Sequence, residues 1–282
     1  MRTTEPADVR PSPIAGRWYP GDPVSLAHSI DEMLSAAPSL ELTGEVVGLV
    51  VPHAGYRYSG TTAARAFKAV EGLSFARVII ISPMHHPYPG AILTSDHAAY
   101  ETPLGKVPVD RVALDRLMDN LAINPVRNDP EHALEIELPF LQRVLRGEFR
   151  LVPLMLRDQG LPTARALGDA LAALHEPGEQ TLLVASSDLS HFYSDAEARA
   201  LDETMLRHIV AFDPRGVITA DRKGEAFACG HGAIAAVLFA ARALGADKVT
   251  VVGYATSAES SGDYGRVVGY GAAVITRPSQ KS

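Results

Sequence analysis

The sequence predicts an α/β fold with a central, mostly parallel or mixed sheet and helices on both faces. Short continuous apolar runs rich in β-branched residues alternate with amphipathic helix patterns along the chain. Continuous runs are typical of strands covered on both faces, and their alternation with helices favours this class. The strand candidates are residues 46–51, 78–81, 151–156, 182–185, 249–252 and 267–275.

The helix patterns begin at residues suited to starting a helix. Asp22 followed by Pro23 is typical of an N-cap and a first helical residue, and Leu26, Ile30 and Leu34 recur on one face. Further patterns begin near residues 61, 162, 195 and 231. A sixth is predicted where Asp129 and Pro130 precede a stretch that Pro139 should kink or end.

Length and composition indicate one compact domain spanning residues 1–282. The chain is 46% hydrophobic, and no Gly/Ser-rich or single-charge linker interrupts it between residues 20 and 276. Looser composition marks the ends, so we expect about residues 1–12 and 277–282 to be flexible. We see no internal repeat.

Charge and hydropathy exclude several classes of partner. A formal net charge of -7 disfavours binding to nucleic acid or to an anionic membrane. The N-terminus lacks a signal peptide, and no apolar run approaches the roughly 18 residues of a membrane span, so we predict a cytoplasmic protein. No Gly-x-Gly-x-x-Gly element follows a strand and no Gly-x-Ser-x-Gly elbow occurs, which argues against a dinucleotide site and a serine hydrolase.

Histidines follow three of the predicted strands directly. His53 follows the first strand candidate, His85 and His86 follow the second, and His191 follows the fourth together with Asp188. Because ligands bind beyond the carboxyl ends of parallel strands, these side chains are predicted to converge. Taken singly, each histidine could also be a hydrogen-bonded loop residue.

Cys229, the sole cysteine, stands just before a predicted helix. A helix N-terminus lowers the pKa of a thiol, which would favour the thiolate needed to bind a metal, although a lone cysteine also serves as a small packing residue. Two histidines and a cysteine suit one iron, copper or zinc ion better than magnesium or calcium. An unligated histidine could then move protons, and His191 is the candidate. Glu131 and Glu135 could brace a histidine or stabilise the dipole of their own helix.

Together these motifs resemble the Memo family, whose bacterial and archaeal members are called AmmeMemoRadiSam system protein B. The resemblance runs in order from about residue 10 to residue 275. Its motifs are AGRWYP at 15–20, PHAGY at 52–56, YSG at 58–60, PMHH at 83–86, EH at 131–132 with Glu135, LP at 138–139, SSD at 186–188 with His191, CG at 229–230 and GY at 269–270.

The resemblance implies a fold like that of the class III extradiol dioxygenases, which are non-haem iron enzymes, and one metal ion. Iron(II) is the first candidate for this ion, and copper and zinc are the alternatives. The implied ligands are His53, His85 and Cys229, with His191 transferring protons and Asp188 supporting it. Four further residues would line or brace the pocket: His86, His132, Glu135 and Tyr56. The dioxygenases have a carboxylate where this chain has the cysteine, so ring cleavage is not implied.

Two function classes follow from the sequence. The first is a metal-dependent oxidoreductase or redox protein acting on an unidentified small molecule. The second is a non-catalytic accessory protein that binds a small molecule or peptide, with radical-SAM and AMMECR1-type proteins as the partners that the family's system name implies. Hydrolysis by zinc-bound water is a weaker third hypothesis, because nothing in the sequence identifies a scissile bond.

Overall fold

The computed structural model describes residues 8–176 and 178–279. Within these residues the chain forms twelve strands and nine α-helices. The strands are β1 Val9–Arg10, β2 Glu45–Val51, β3 Arg77–Pro83, β4 Ile92–Ser95, β5 Ala99–Thr102, β6 Gly105–Pro108, β7 Ile123–Val126, β8 Arg150–Leu156, β9 Thr181–Ser186, β10 His191–Tyr193, β11 Lys248–Thr256 and β12 Val267–Arg277. The helices are α1 Pro23–Ala36, α2 Tyr56–Phe67, α3 Arg111–Met118, α4 Leu138–Val144, α5 Leu161–Ala173, α6 Asp195–Val210, α7 Pro214–Lys223, α8 His231–Ala243 and α9 Ala258–Ser261.

A mixed sheet of nine strands forms the centre of the molecule. Its order is β10-β12-β2-β9-β3-β8-β4-β7, and β11 pairs with β12. The four strands β2, β9, β3 and β8 run parallel to one another, while β12 is antiparallel to β2 and β4 is antiparallel to β8. All six predicted strands are present, and the prediction of an α/β fold is confirmed.

Helices cover both faces of this sheet. Neighbouring residues of a strand point to opposite faces, and on β11 the Cβ direction of Gly253 meets Arg65 of α2, whereas the Tyr254 hydroxyl donates to Asp202 of α6. Helices α2 and α6 therefore lie on opposite sides. Helices α1 and α4 pack with α2, and α7 and α8 continue the layer of α6.

The predicted start of α1 is present in the structure. The Asp22 carboxylate accepts a hydrogen bond from the amide of Ser25 at 2.8 Å, and Pro23 occupies the first turn. Such a cap satisfies an amide that the helix itself leaves without a partner. Leu26, Ile30 and Leu34 are buried, as their spacing predicts.

The structure describes part of each end for which the sequence predicts flexibility, and there both ends pair with other strands. Val9–Arg10 pairs in parallel with β5, and Arg10 is only 2% exposed because buried carboxylates surround its guanidinium. At the other end, Arg277 closes β12 and pairs with Glu45. Residues 1–7 and 280–282 of the predicted flexible segments lie outside the described part of the chain.

The helix predicted to begin at Asp129 is also corrected. Residues 129–132 are irregular, a turn covers 133–134, a single 3-10 turn spans Glu135–Glu137, and the α-helix begins only at Leu138. Pro139 occupies the first turn of α4 and so helps to begin that helix. Asp129 binds Arg10 in addition to the Glu131 amide, so its carboxylate belongs to a tertiary contact that local sequence does not reveal.

No helix among the described residues is long and apolar enough to cross a lipid bilayer.

Candidate metal centre

The candidate site lies at the carboxyl edge of the four parallel strands. His53 follows β2, His85 follows β3, and Asp188 and His191 follow β9, which lies between those two strands. Strands with parallel direction end at the same edge of the sheet, so these loops meet there. The predicted convergence is therefore present for His53 and His85, whose ring centroids are 5.4 Å apart.

Three histidines form the group that could hold an ion. Ligand atoms of His53, His85 and His132 all lie within 4.8 Å of one another. Nitrogens bound at about 2.0–2.1 Å to one ion are at most about 4.2 Å apart, so small side-chain shifts would suffice. The donor set and its spacing thus fit a single transition-metal ion.

His53 presents its Nε2 atom to the site. Its Nδ1 lies 2.8 Å from the Ser186 hydroxyl, whose only hydrogen goes to the Ala133 carbonyl or to the Glu137 carboxylate. Nδ1 must then carry the proton of the neutral ring, which leaves a lone pair on Nε2. Burial, followed by the nearby His132 and His85 rings, lowers the pKa of His53 well below its ordinary value.

Glu131 holds His85 in place through two contacts. The His85 amide donates to one carboxylate oxygen at 2.5 Å, and Nδ1 donates to the other at 2.9 Å, so Nε2 is left for a ligand. Burial alone would lower the pKa of His85, but the hydrogen bond and charge of Glu131 outweigh it and raise the pKa. Burial would raise the pKa of Glu131, yet its bonds to His85 lower it to about 2.

His132 completes the group and lies against two aromatic rings. Its ring stacks on His85 with centroids 4.9 Å apart, and it also contacts Trp18 at 4.1 Å. Burial lowers the pKa of His132 to about 4, although the charge of Glu131 acts in the opposite direction. The imidazole is therefore neutral at physiological pH, as a metal ligand must be.

Cys229 contacts the group from the side of His53. Its Sγ lies 3.1 Å from Nε2 of His53, although it does not belong to the group of three ligand atoms. A sulfur at about 2.3 Å and a nitrogen at about 2.1 Å from one ion would be about 3.5 Å apart, so this pair also fits a shared ion. The assignment of Cys229 as a ligand stays a prediction.

The predicted lowering of the Cys229 pKa is wrong for the metal-free chain. Cys229 does lie just before α8, which begins at His231, but burial and then the charge of Asp188 raise the pKa of the thiol. The neutral thiol can donate its hydrogen to the lone pair of His53 Nε2 or to the Asp188 carbonyl oxygen, 3.6 Å away. Binding of a metal to this sulfur would have to release that proton.

His191 and Asp188 are close in sequence, but they have different partners. Nδ1 of His191 donates to the carbonyl of Leu189 at 2.8 Å, whereas the Asp188 carboxylate accepts from the amide of His53 at 2.8 Å. Asp188 therefore anchors the His53 loop, and the backbone orients His191 in place of the expected carboxylate. Burial raises the pKa of Asp188 to about 7 and lowers that of His191.

Tyr56 and Glu135 act as braces at some distance from the imidazoles. The Tyr56 hydroxyl donates to the carbonyl of Ile136 at 2.9 Å, which ties α2 to the turn before α4. Glu135 accepts from Tyr19 and pairs with Arg10, so it holds the N-terminal segment.

His86 and Met84 flank His85 in the sequence but differ in burial. His86 is half-buried, and its charge contributes to lowering the pKa of His132. Met84 is 3% exposed and belongs to the hydrophobic core, where its side chain packs.

A cavity of about 340 Å³ borders the site at Cys229 and His191. The remaining lining comes from Leu189, Tyr193, Asp221, Phe227, Ala228 and His231. The Tyr193 and Phe227 rings stack with centroids 5.6 Å apart. This volume falls in the range of small-molecule pockets, so a ligand placed here would meet both the thiol and His191.

Two residues that shape the site, Gln159 and Arg10, were not identified from the sequence. Gln159 donates to the Cys229 carbonyl at 2.6 Å and accepts from the Gly232 amide at 2.9 Å, which fixes the start of α8. Arg10 binds the loop that bears Glu131. The position of Gln159 just after β8 was the available clue, since β8 ends at the same edge as β3.

The fold and site define an α/β protein with a group of three histidines at the carboxyl edge of a mixed sheet. The profile of the Memo-like protein family matches residues 10–274. The chain therefore belongs to the Memo family, as the sequence motifs predict.

Three proteins of the MEMO1 family match this chain over nearly their whole length. A MEMO1 family protein of Nitrosopumilus maritimus is 34% identical over 271 residues, covering 94% of this chain and 98% of the relative. One from Methanopyrus kandleri is also 34% identical, with 94% and 98% covered, and one from Methanosarcina mazei is 32% identical, with 95% and 99% covered.

Among solved structures, an uncharacterised protein from Escherichia coli K12 is 15% identical and has a TM-score of 0.44. The match covers 82% of this chain and 100% of that protein.

Proposed function

We propose that this Memo-family protein binds one metal ion at the carboxyl edge of its sheet. His53 and His85 are two of the ligands, and the third is His132 or Cys229. The observation that carries the proposal is the convergence of three imidazole ligand atoms within 4.8 Å. The carboxylate of Glu131 behind His85 adds support, because metal-binding histidines commonly donate their second nitrogen to such a group.

The donor set favours a transition metal. Imidazole nitrogen and thiolate sulfur suit iron, copper and zinc, whereas magnesium and calcium prefer oxygen. Iron(II) is our first choice, with copper or zinc as alternatives. A redox-active ion with an open coordination position would supply activation of dioxygen or of a small organic substrate.

His191 is the proton carrier in this proposal. Its Nδ1 is committed to the Leu189 carbonyl, and burial lowers its pKa, so Nε2 is free to accept a proton at neutral pH. The cavity of about 340 Å³ borders both His191 and Cys229, which gives a small substrate access to this nitrogen. The proposed class is a metal-dependent oxidoreductase.

A second candidate, an accessory binding protein of an AmmeMemoRadiSam system, takes its support from Phe192. This residue directly follows His191, is 62% exposed and has a left-handed backbone with a φ of 66°. The Arg266 guanidinium lies 5.2 Å from its ring. An exposed aromatic side chain on a strained backbone beside a site favours recognition of a ligand or peptide.

Titration of the metal-free protein with Co²⁺ tests the proposal. We expect one saturable site per chain that is lost in His53→Ala and His85→Ala. A sulfur-to-cobalt charge-transfer band that disappears in Cys229→Ser would identify the cysteine as the third ligand. If the cobalt spectrum lacks that band and cobalt binding is lost in His132→Ala, His132 is the third ligand.

His231→Ala is the matched control, because His231 lies two residues after Cys229 but pairs with Asp221 outside the histidine group. It should bind Co²⁺ as the wild type does. Absence of saturable binding in the folded wild type would overturn the metal proposal and favour the accessory protein.

A further inference from the structure

Arg10 connects the N-terminal strand to the loop that carries Glu131 and His132. Its Nε donates to Asp129 at 2.8 Å, and one terminal nitrogen donates to the Glu131 carbonyl at 2.7 Å. The other terminal nitrogen pairs with Glu135. One guanidinium thus binds three residues of a seven-residue loop, and each contact spans more than a hundred residues of sequence.

This contact is almost entirely closed to solvent. Arg10 and Asp129 have side-chain exposures of 2% and 1%, and Glu135 is fully buried. The planar guanidinium offers five donors in a fixed fork, whereas lysine offers one compact ammonium. The Tyr100 ring, on the strand paired with β1, lies 4.8 Å from the guanidinium carbon and confines it further.

The loop that Arg10 holds is the one that sets the geometry of two imidazoles. The Glu131 carbonyl accepts from Arg10, and its carboxylate accepts from the amide and Nδ1 of His85 and from the amide of His132. Displacement of the Glu131 backbone would therefore move His85 and His132 together. The rest of the same N-terminal segment adds the contact between Trp18 and His132.

We propose that Arg10 is a positioning residue that completes the metal centre by fixing Glu131, and with it His85 and His132, from the N-terminal strand. This inference rests on the proposed metal-binding function. It follows that the first strand of the chain, remote from the histidines in sequence, sets the affinity of the site.

Arg10→Lys tests this proposal, because lysine keeps the positive charge but lacks the planar set of donors with which the guanidinium binds three residues at once. We expect the Co²⁺ dissociation constant to rise about 10-fold to 100-fold, as for other changes to the groups behind metal ligands. In ¹⁵N-histidine spectra of the metal-free protein, His85 should show a signal from the Nδ1–H group that donates to Glu131. In Arg10→Lys this signal should weaken or be lost.

Arg77→Lys is the matched control. Arg77 is also buried and also pairs with two carboxylates, Asp110 and Glu179, but it lies at the amino end of β3, the end opposite His85. Its loss of thermal stability should resemble that of Arg10→Lys. Its cobalt affinity and its His85 signal should stay at wild-type values.

A folded Arg10→Lys variant with wild-type cobalt affinity and a wild-type His85 signal would overturn the proposal. Should that variant fail to fold, Asp129→Asn takes its place, since asparagine still accepts from the Glu131 amide but cannot accept from Nε of Arg10. If wild-type protein binds no cobalt, the proposed function fails. The His85 signal of the metal-free variants then decides the role of Arg10 on its own.

Discussion

Each imidazole of the histidine group has a different environment, and under the proposed function these environments decide how a metal would compete with protons. Burial holds His53 and His132 neutral at physiological pH. His85 is 35% exposed, and Glu131 raises its pKa, so His85 retains a proton to higher pH than an ordinary histidine. A metal must displace that proton, and metal affinity should therefore rise as the pH rises past 6.5.

Glu131→Gln changes this competition at a single residue. The amide can still accept from Nδ1 of His85 but carries no charge, so the pKa of His85 falls and its ring is less firmly held. We expect cobalt affinity to drop about 10-fold or more and its pH dependence to shift to lower pH. Glu101→Gln, an exposed change on β5, is the control. Unchanged affinity in Glu131→Gln would show that this carboxylate does not support the site.

His132→Asn should change the acid stability of the metal-free protein. The pKa of His132 is about 4 in the fold and 6.5 in a model peptide, so the unfolded chain takes up the proton first as the pH falls. The stability that a neutral His132 provides above pH 6.5 is therefore lost as the pH falls towards 4, by on the order of 3 kcal/mol.

Urea unfolding of the wild type, His132→Asn and the exposed-histidine control His28→Asn measures this effect. His28 lies on α1, and its side chain is 73% exposed. The fall in unfolding free energy between pH 6.5 and 4 should be smaller in His132→Asn and unchanged in His28→Asn. If the unfolding free energy falls equally with pH in all three proteins, the low pKa of His132 is contradicted.

Elements built from continuous apolar runs could be predicted from the sequence, and short polar ones could not. The run 78–81 lies inside β3, every residue of which is buried. By contrast, β7 spans Ile123–Val126, contains Asn124 and Pro125, and has two exposed residues, so nothing in its local pattern marks a strand. The prediction of a helix at 129–135 was wrong because Asp129, its proposed N-cap, binds Arg10, which lies 119 residues away in the sequence.

Gly168→Ala tests the packing of α5 against α8, the helix that begins just after Cys229. A Cβ at this position would lie 2.5 Å from Cβ of Phe239 and 2.9 Å from the Ala236 carbonyl. We expect a loss of about 1–3 kcal/mol from overpacking, although alanine favours a helix over glycine by about 1 kcal/mol.

Ala166→Gly, at an exposed position of the same helix, is the control. It should lose at most about 1 kcal/mol through helix propensity alone. Thermal unfolding of both variants measures the effect. An increase in stability for Gly168→Ala would show that the two helices have room to separate.

At the scale of the whole molecule, the topology explains which parts of the site the sequence could indicate. Parallel strands that end together bring His53 and His85 to one edge, and this rule needs only the strand pattern. Arg10 and Glu131 meet through contacts that depend on the fold of the N-terminal segment over a distant loop. No periodicity or motif spacing indicates such a contact. The hydrogen bonds by which Arg10 and Glu131 hold the histidines in place are therefore known only from the structure.

Metal binding should stabilise the entire fold. At a free metal concentration 100 times the dissociation constant, the unfolding free energy rises by about 2.7 kcal/mol. For a chain of 282 residues the melting temperature should increase by about 4–5 °C. Calorimetry with and without metal measures the shift. An equal shift in His53→Ala would place the stabilising ion elsewhere.

The most direct test of the central claim is the metal content of untagged protein purified without oxygen, determined by mass spectrometry for the wild type and His53→Ala. A metal centre at the histidine group predicts close to one iron, copper or zinc ion per wild-type chain and almost none in the folded variant. Folded wild-type protein without metal, or a variant with the same metal content as the wild type, would contradict it.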